Sequence, residues 1–189
     1  MQIIDWQEFL DNDLQLKGKL SSMTVGIFDG VHRGHKALIE RIVSHNINHV
    51  PAVVTFRQNH KIVNNKQKYI QSFEERLAAF ESLKVQITIV IDFTESFRKM
   101  SGAEFLKLLF KHGSVGFFTV GNDFRCGYRL DTDAAAIKTF FAAHNIPVEI
   151  IPEVTEESQP ISSSRIRTAI GTGNFSLAEK MLGRTLKQP

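Results

Sequence analysis

Cysteine is nearly absent from this chain, which has only Cys126 among its 189 residues. A single thiol cannot form a disulfide within the chain, so the fold does not depend on an oxidising compartment. The scarcity also argues against structural zinc, which usually takes four ligands, because Cys126 is far in sequence from the paired histidines His32 and His35. A lone cysteine is most often a small core residue, and we assign Cys126 no role.

Long apolar runs, a signal peptide and basic clusters are also missing. No run approaches the roughly 20 apolar residues that span a bilayer, and residues 1–13 lack the basic-then-apolar pattern of a signal peptide. The net charge is +3 and the isoelectric point is about 9.0, without the basic run expected of a nucleic-acid-binding surface. We therefore expect a cytoplasmic protein that binds anionic small molecules, and neither nucleic acid nor membrane. The sequence carries no signal for its oligomeric state.

Apolar runs rich in β-branched residues alternate with amphipathic segments along the whole chain. The runs predict five buried strands, at residues 22–28, 52–56, 87–91, 115–120 and 147–151. Strands separated by helices imply right-handed crossovers, and hence an α/β fold with a five-stranded parallel sheet and helices on both faces. Ligands of such sheets bind beyond the carboxyl ends of the strands. The length suits a single domain over residues 1–189.

Helix starts are marked by serine followed three residues later by glutamate. This pattern predicts capping boxes at Ser72, Ser101 and Ser176. Residues 1–20 are interpreted as a segment leading to the first strand, in which Trp6, Phe9 and Leu10 form one face of a short helix.

The stretch at residues 26–35 joins the first predicted strand to a helix through a glycine-containing turn. Free backbone N–H groups and the positive end of the helix dipole make such a junction suitable for a phosphate. Gly26, Gly30 and Gly34 allow a close approach. His32 and His35 are either ordinary structural residues or two imidazoles that donate hydrogen bonds to charge that develops during phosphoryl or nucleotidyl transfer. The G-x-x-x-x-G-K-[ST] pattern of P-loop NTPases is absent.

The loop after the fourth strand, residues 121–127, places an aromatic side chain among turn-forming residues. A simple turn explains the glycine, asparagine and aspartate but leaves Phe124 without a reason to be there. The alternative is that Phe124 packs against a flat aryl ligand and that Asp123 accepts a hydrogen bond from it or helps to hold a cation.

Three serines and an arginine mark the segment after the fifth strand. Ser162, Ser163 and Ser164 are either plain helix caps or a second group of hydroxyl and N–H donors for an anion. An arginine one turn into such a helix can bind phosphate oxygens with its two-pronged guanidinium.

These three segments together resemble bacterial FAD synthetases, the FMN adenylyltransferases of the H-x-G-H nucleotidyltransferase superfamily. The matching strings are G-I-F-D-G-V-H-R-G-H at residues 26–35, G-N-D-F-R-C-G at residues 121–127 and I-S-S-S-R-I-R at residues 161–167. The resemblance extends over residues 23–186, nearly the whole chain.

The resemblance implies a Rossmann-like nucleotidyltransferase fold and transfer of AMP from ATP to FMN, giving FAD and pyrophosphate, with Mg²⁺ on the phosphates. The residues that it implies are His32, His35, Asp123 and Arg167 for catalysis, Gly26, Phe28, Gly30, Gly34, Ser162, Ser163 and Ser164 for ATP, and Phe56, Asp123 and Phe124 for the flavin. The resemblance places Arg165 at a variable position of the motif, so Arg165 is expected to be solvated. No residue is assigned as a metal ligand.

Three features depart from the family, and one is the stretch at residues 127–133, where the family tends to have glycines and an arginine. The loop that usually reads T-F-x-P-H-P is Thr55, Phe56, Arg57, Gln58, Asn59 and His60 here, without either proline and with the histidine one residue later. The riboflavin kinase domain that follows in most relatives is absent, so we expect an adenylyltransferase domain alone. Two alternatives stay open: a nucleotidyltransferase with another acceptor, such as pantetheine phosphate, nicotinamide mononucleotide or glycerol phosphate, and a non-catalytic protein that binds flavin or nucleotide.

Overall fold

A computed structural model describes residues 1–57 and 69–186, and the fold is α/β, built on one parallel sheet. The strands, in chain order, are β1 Gln2–Asp5, β2 Leu20–Val25, β3 His49–Phe56, β4 Ile87–Ile91, β5 Val115–Gly121, β6 Arg125–Cys126, β7 Thr132–Asp133, β8 Val148–Ile151, β9 Thr155–Glu156 and β10 Gln159–Pro160. The main sheet has the spatial order β1-β4-β3-β2-β5-β8, and each neighbouring pair is parallel. All five predicted strands are confirmed, with ends shifted by a few residues. The predicted departure at Gln58, Asn59 and His60 lies outside the described residues.

Over the described residues the sheet has six strands, not the five predicted, because β1 pairs with β4 at the edge and places Ile4 opposite Ile89. Only Ile4 in this strand is buried, and the other three residues are exposed. One inward residue in four gives too little alternation to distinguish a strand from a loop in the sequence. The short helix predicted after it is confirmed.

The helices are α1 Trp6–Asn12, α2 Arg33–Ser44, α3 Phe73–Ser82, α4 Glu95–Lys99, α5 Gly102–His112, α6 Ala134–Ala142, α7 Ser163–Gly171 and α8 Phe175–Leu182, with a 3₁₀ turn at Tyr128–Leu130. The capping boxes predicted at Ser72 and Ser101 are confirmed, since both the serine and the glutamate of each box make their hydrogen bonds. The box predicted at Ser176 is wrong. The helix begins at Phe175, two residues earlier than this box predicts, and Asn174 caps it by accepting from the backbone N–H of Leu177.

Helices cover both faces of the sheet, as predicted. Phe117 and Phe118 are adjacent on β5, so their side chains point to opposite faces. Phe117 packs in a core with residues of α2 and α3. Phe118 packs in a second core with residues of α1, α5 and α6.

The central strand β2 has β3 on one side and β5 on the other. The chain moves outward from β2 to β3 and β4 and then returns to β5, so the strand order reverses beside β2. Sheets of this kind bind ligands in the crevice beyond the carboxyl ends of the strands at that point. Across the described residues, no helix combines the length and apolar character needed to cross a membrane.

Candidate functional site

A cavity of about 240 Å³ opens at the carboxyl ends of β2, β5 and β8. It is lined by His32, Gly34, His35, Leu38, Gly121, Asn122, Asp123, Ile151, Pro152, Glu153, Val154, Pro160, Ile161, Ser162 and Ser163. Each of the three sequence segments singled out above contributes to this lining. The cavity therefore lies at the reversal of strand order, where the fold alone places a ligand.

The turn between β2 and α2 holds its backbone in unusual conformations. Phe28, Gly30 and Val31 have φ values of 56°, 86° and 37°. Glycine adopts a positive φ without penalty, whereas a bulky or β-branched residue is strained there by about 1–3 kcal/mol. Val31 is completely buried, and its N–H donates to the Phe28 carbonyl at 3.1 Å. The surrounding packing thus fixes a tight turn that delivers His32 to the start of α2.

His32 caps α2 with its imidazole instead of a hydroxyl. Its Nδ1 accepts a hydrogen bond of 3.3 Å from the backbone N–H of His35. An imidazole that accepts at Nδ1 and is neutral carries its proton on Nε2. Burial, with a smaller contribution from Arg184, lowers the pKa of His32 to about 4. His32 is therefore a neutral hydrogen-bond donor at physiological pH.

His35 stacks on His32, with ring centroids 3.5 Å apart and planes tilted by 20°. The ring of Phe28 also meets the His35 ring edge-on, with centroids 5.2 Å apart. Burial, followed by the neighbouring His32 and Arg76, lowers the pKa of His35 well below its ordinary value. Its Nδ1 is buried and has no hydrogen-bond partner among the described residues. The pair of histidines is thus neutral, rigidly stacked and open to the cavity.

The start of α7 supplies the opposite wall of the cavity. Ser162 caps this helix by accepting from the N–H of Arg165 at 3.2 Å. Ser163 donates its hydroxyl to the backbone carbonyl of Asp29 at 2.9 Å, which joins the two helix starts directly. Arg165, expected to be solvated, instead donates to the Gln159 carbonyl at 3.0 Å and is partly buried.

Arg167 pairs with Asp29 on the far side of the turn. Its Nη1 donates to Asp29 Oδ2 at 2.7 Å, and the exposed fractions of the two side chains are 18% and 2%. The second carboxylate oxygen, Oδ1, accepts from the backbone N–H groups of Ile70 at 3.1 Å and Gln71 at 3.4 Å. Burial raises the pKa of Asp29, and the two N–H groups and Arg167 oppose that rise.

The loop after β5 brings Asp123 to the cavity but turns Phe124 inward. Asp123 is exposed at the cavity, whereas Phe124 is partly buried against the core that contains Phe118. Phe56 packs against the same core, and its ring lies 5.6 Å from Phe93. Burial raises the pKa of the Cys126 thiol in this loop to about 12, which keeps it protonated.

The structure therefore divides the residues singled out from the sequence into two groups. The group that lines the cavity is His32, His35, Gly34, Asp123, Ser162 and Ser163. The group that lies outside the lining is Gly26, Phe28, Gly30, Phe56, Phe124, Ser164 and Arg167. Ser164 and Arg167 face a neighbouring cavity of about 430 Å³ with Tyr69 and Ile70.

Sequence reasoning missed Arg76, a buried cation beside the histidines. This guanidinium donates to the carbonyls of Ile27, Phe56 and Arg57, and so joins the ends of β2 and β3. Within the described residues it forms no ion pair with a carboxylate. Arg76 and Phe80 are the buried residues of α3. Their spacing of four places an arginine on the apolar face of a helix, and this was the available signal.

The donor groups around the cavity determine how a metal ion could bind there. In the described parts of the chain, no group of three or more histidine, cysteine, aspartate or glutamate side chains could hold a metal ion. Asp123 and Glu153 are the carboxylates of the cavity lining. A cation such as Mg²⁺ suits these residues only if phosphate oxygens and water supply most of its ligands.

Comparison with known proteins places these observations in a family. The family model for FAD synthetase matches residues 15–165 of the chain. The bifunctional riboflavin kinase/FMN adenylyltransferase of Buchnera aphidicola subsp. Schizaphis graminum is 30% identical over 171 residues, covering 87% of this chain and 55% of the relative. The protein of the same description from Escherichia coli strain K12 is 27% identical over 167 residues, covering 85% and 53%. The chain thus spans about half the length of these curated relatives.

Solved structures agree on the fold. The crystal structure of a protein from Streptococcus pneumoniae, titled macrolide-efflux protein, is 27% identical, with a TM-score of 0.79, covering 97% of this chain and 60% of that one. A pantoate–β-alanine ligase from Francisella tularensis is 18% identical with a TM-score of 0.62, covering 92% and 77%. At that identity the second likeness concerns the fold alone.

Proposed function

The chain belongs to the FAD synthetase family, and we propose that it is an FMN adenylyltransferase that transfers AMP from ATP to FMN. One observation carries the proposal: two helix starts, with His32 and His35 on one and Ser162 and Ser163 on the other, line a single cavity. Helix starts bind anions through free N–H groups and the helix dipole. Two of them on one cavity suit a triphosphate better than a single phosphate.

The reaction needs no protein nucleophile. A phosphate oxygen of FMN forms a bond to the α-phosphorus of ATP, and the bond from that phosphorus to the bridging oxygen of the β-phosphate breaks. Pyrophosphate leaves with the electron pair of the broken bond. The FMN phosphate is already largely dianionic near neutral pH, since the second pKa of such a group is about 6. Catalysis then depends on positioning and on stabilisation of charge.

The two histidines stabilise that charge as neutral donors. His32 keeps its Nδ1 for the cap of α2 and offers Nε2–H to a phosphate oxygen. His35, stacked on it, completes a preorganised pair. Because their lowered pKa values keep both rings uncharged, the histidines act as neutral N–H donors to the charge that develops on the phosphates.

The remaining residues divide between nucleotide and flavin. Backbone groups along residues 26–34, together with Ser162, Ser163, Ser164 and Arg167, hold the phosphates of ATP, and Arg167 acts from the edge of the neighbouring cavity. Asp123 contacts the flavin from within the cavity lining. Phe124 and Phe56 shape the flavin side by packing beneath it. When bound, Mg²⁺ neutralises charge on the phosphates.

The test is to incubate the protein with ATP and Mg²⁺ and either FMN or riboflavin, and to separate the products by chromatography. We expect FAD and pyrophosphate from FMN and no FAD from riboflavin. A reaction without protein is the blank. Absence of FAD in the FMN reaction would overturn the proposal.

A second candidate function is transfer of AMP to an acceptor other than FMN. It is favoured by the loop that usually reads T-F-x-P-H-P in the family, because this loop differs in the present sequence. Pyrophosphate release with pantetheine phosphate, nicotinamide mononucleotide or glycerol phosphate, but not with FMN, would favour it. Flavin binding without any pyrophosphate release would favour a non-catalytic protein.

A further inference from the structure

Asp29 occupies a position that the proposed chemistry does not use. It belongs to the turn between β2 and α2 that carries His32, here called the histidine turn, yet its side chain is 2% exposed and so is withdrawn from any ligand in the cavity. Both carboxylate oxygens are engaged: Oδ1 by the N–H groups of Ile70 and Gln71, and Oδ2 by Arg167. A buried carboxylate is expensive unless it is paired and hydrogen-bonded, as it is here.

Arg167 is only partly satisfied by this arrangement. Nη1 is bound to Asp29, and Nη2 lies 3.4 Å from the hydroxyl of Ser164. Nε is buried without a partner among the described residues. A guanidinium has five N–H donors in a fixed fork, so fixing one edge on Asp29 sets the direction of the others. The side chain is 18% exposed and faces a cavity, so the Nη donors that Asp29 does not occupy are available to an anion, whereas the buried Nε is not.

The two residues lie 138 positions apart in sequence and belong to the two helix starts that line the cavity. The second link between these segments, from Ser163 to the Asp29 carbonyl, ends on the same residue. Asp29 is thus the point at which the histidine turn and the start of α7 are fastened together.

We propose that Asp29 is a positioning residue that fixes the guanidinium of Arg167 for binding to a nucleotide phosphate. The inference rests on the proposed function for the identity of the nucleotide. The inference does not require that FMN is the acceptor, because it concerns only how Arg167 binds the phosphates of ATP.

The substitution Asp29→Asn distinguishes this positioning role from a role in packing alone, because it changes the hydrogen-bonding groups but hardly the volume of the side chain. A carboxylate presents two acceptor oxygens, whereas an amide presents one acceptor and one NH₂ donor. In Asp29→Asn, either the N–H groups of Ile70 and Gln71 or the guanidinium of Arg167 must face that NH₂. The volume of the side chain is nearly unchanged, so lost orientation is the main consequence.

The experiment is a double-mutant cycle with Asp29→Asn and Arg167→Gln, read by calorimetric binding of a non-hydrolysable ATP analogue. Each single variant is expected to weaken binding about 10- to 100-fold, and the double variant no more than Arg167→Gln alone. Losses that multiply would overturn the inference, because Asp29 would then act independently of Arg167. Unchanged binding in Asp29→Asn would overturn it as well.

A matched control is the pair Arg41 and Glu149, which joins α2 to β8 at 2.6 Å and does not line the cavity. Arg41→Gln and Glu149→Gln should leave binding of the analogue unchanged. Circular dichroism checks that each variant is folded. If Asp29→Asn is unfolded, Asp29→Glu takes its place in the cycle, with the same two outcomes.

The readout separates this inference from the proposed function. If the wild-type protein binds the ATP analogue but makes no FAD, the acceptor assignment fails and the cycle still decides the role of Asp29. If the wild-type protein does not bind the analogue at all, both are overturned.

Discussion

The two helix starts that line the cavity are built differently. At α2 the cap is the imidazole of His32, which is 5% exposed and follows a turn with positive φ at Phe28, Gly30 and Val31. At α7 the cap is the hydroxyl of Ser162, which is exposed and makes the usual serine contact. The start of α2 thus has a strained backbone and buried titratable side chains, whereas the start of α7 is an ordinary capped helix N-terminus. Changes at the two starts should therefore differ in size and in kind.

The largest expected effect is on rate, at the strained start. His35→Ala removes a preorganised donor, which typically costs 10²- to 10³-fold in kcat, about 2.7–4 kcal/mol of barrier. We expect this loss in a FAD-formation assay, with the folded state retained by circular dichroism.

His45→Ala is the matched control for that variant. His45 is the C-cap of the same helix and stacks on Phe117 at 3.7 Å, outside the cavity lining. Its replacement should leave the rate unchanged. An unchanged rate in His35→Ala would remove the assigned role.

The next effect is on how the free energy of unfolding depends on pH. This dependence should also differ between the start of α2 and the start of α7. His32 has a pKa of about 4 in the folded protein and about 6.5 when unfolded. Because the folded pKa is the lower one, the unfolded state binds the proton first as the pH falls. The stabilising contribution is therefore full above about pH 6.5 and is lost progressively towards pH 4, by about 3 kcal/mol.

Denaturant unfolding at pH 7, 5.5 and 4.5 measures this loss. His32→Asn should flatten the dependence, whereas Ser162→Ala should lower stability by about the same amount at every pH, since a hydroxyl does not titrate. Equal slopes for wild type and His32→Asn would contradict the assignment.

The smallest expected effect is on the free energy of unfolding, when alanine replaces one glycine in the turn before α2 and one at the end of α7. Gly30 has a φ of 86°, and a Cβ there would lie 3.1 Å from side-chain atoms of Ile70. Gly30→Ala should cost about 1–2 kcal/mol in the free energy of unfolding. Gly171, at the end of α7, has open space around it.

Gly171→Ala should leave stability unchanged or raise it by up to about 1 kcal/mol. Urea unfolding of both variants gives the comparison directly. Equal costs at the two positions would mean that the turn before α2 is not specially constrained.

Much of the fold could be predicted from local sequence patterns, and the predictions that were wrong or missing have local causes. The apolar runs predicted five of the six strands described in the main sheet, and the serine–glutamate spacing predicted two of three capping boxes. At the third, Asn174 caps the helix in place of Ser176, so the helix begins two residues earlier than predicted. The edge strand β1 has one buried residue, so its pattern is too short to read. Arg76 was overlooked because a charged residue is usually interpreted as solvent-exposed.

The sequence by itself determined the strand–turn–helix at residues 26–35, the serine cap of α7 and the alternation that builds the sheet, because each depends on residues a few positions apart. Only the tertiary structure decided which of these segments meet. The order of the strands brings β2, β5 and β8 to one edge, and it pairs Asp29 with Arg167 across 138 residues. Burial at that meeting point, which no local pattern encodes, is what keeps both histidines uncharged.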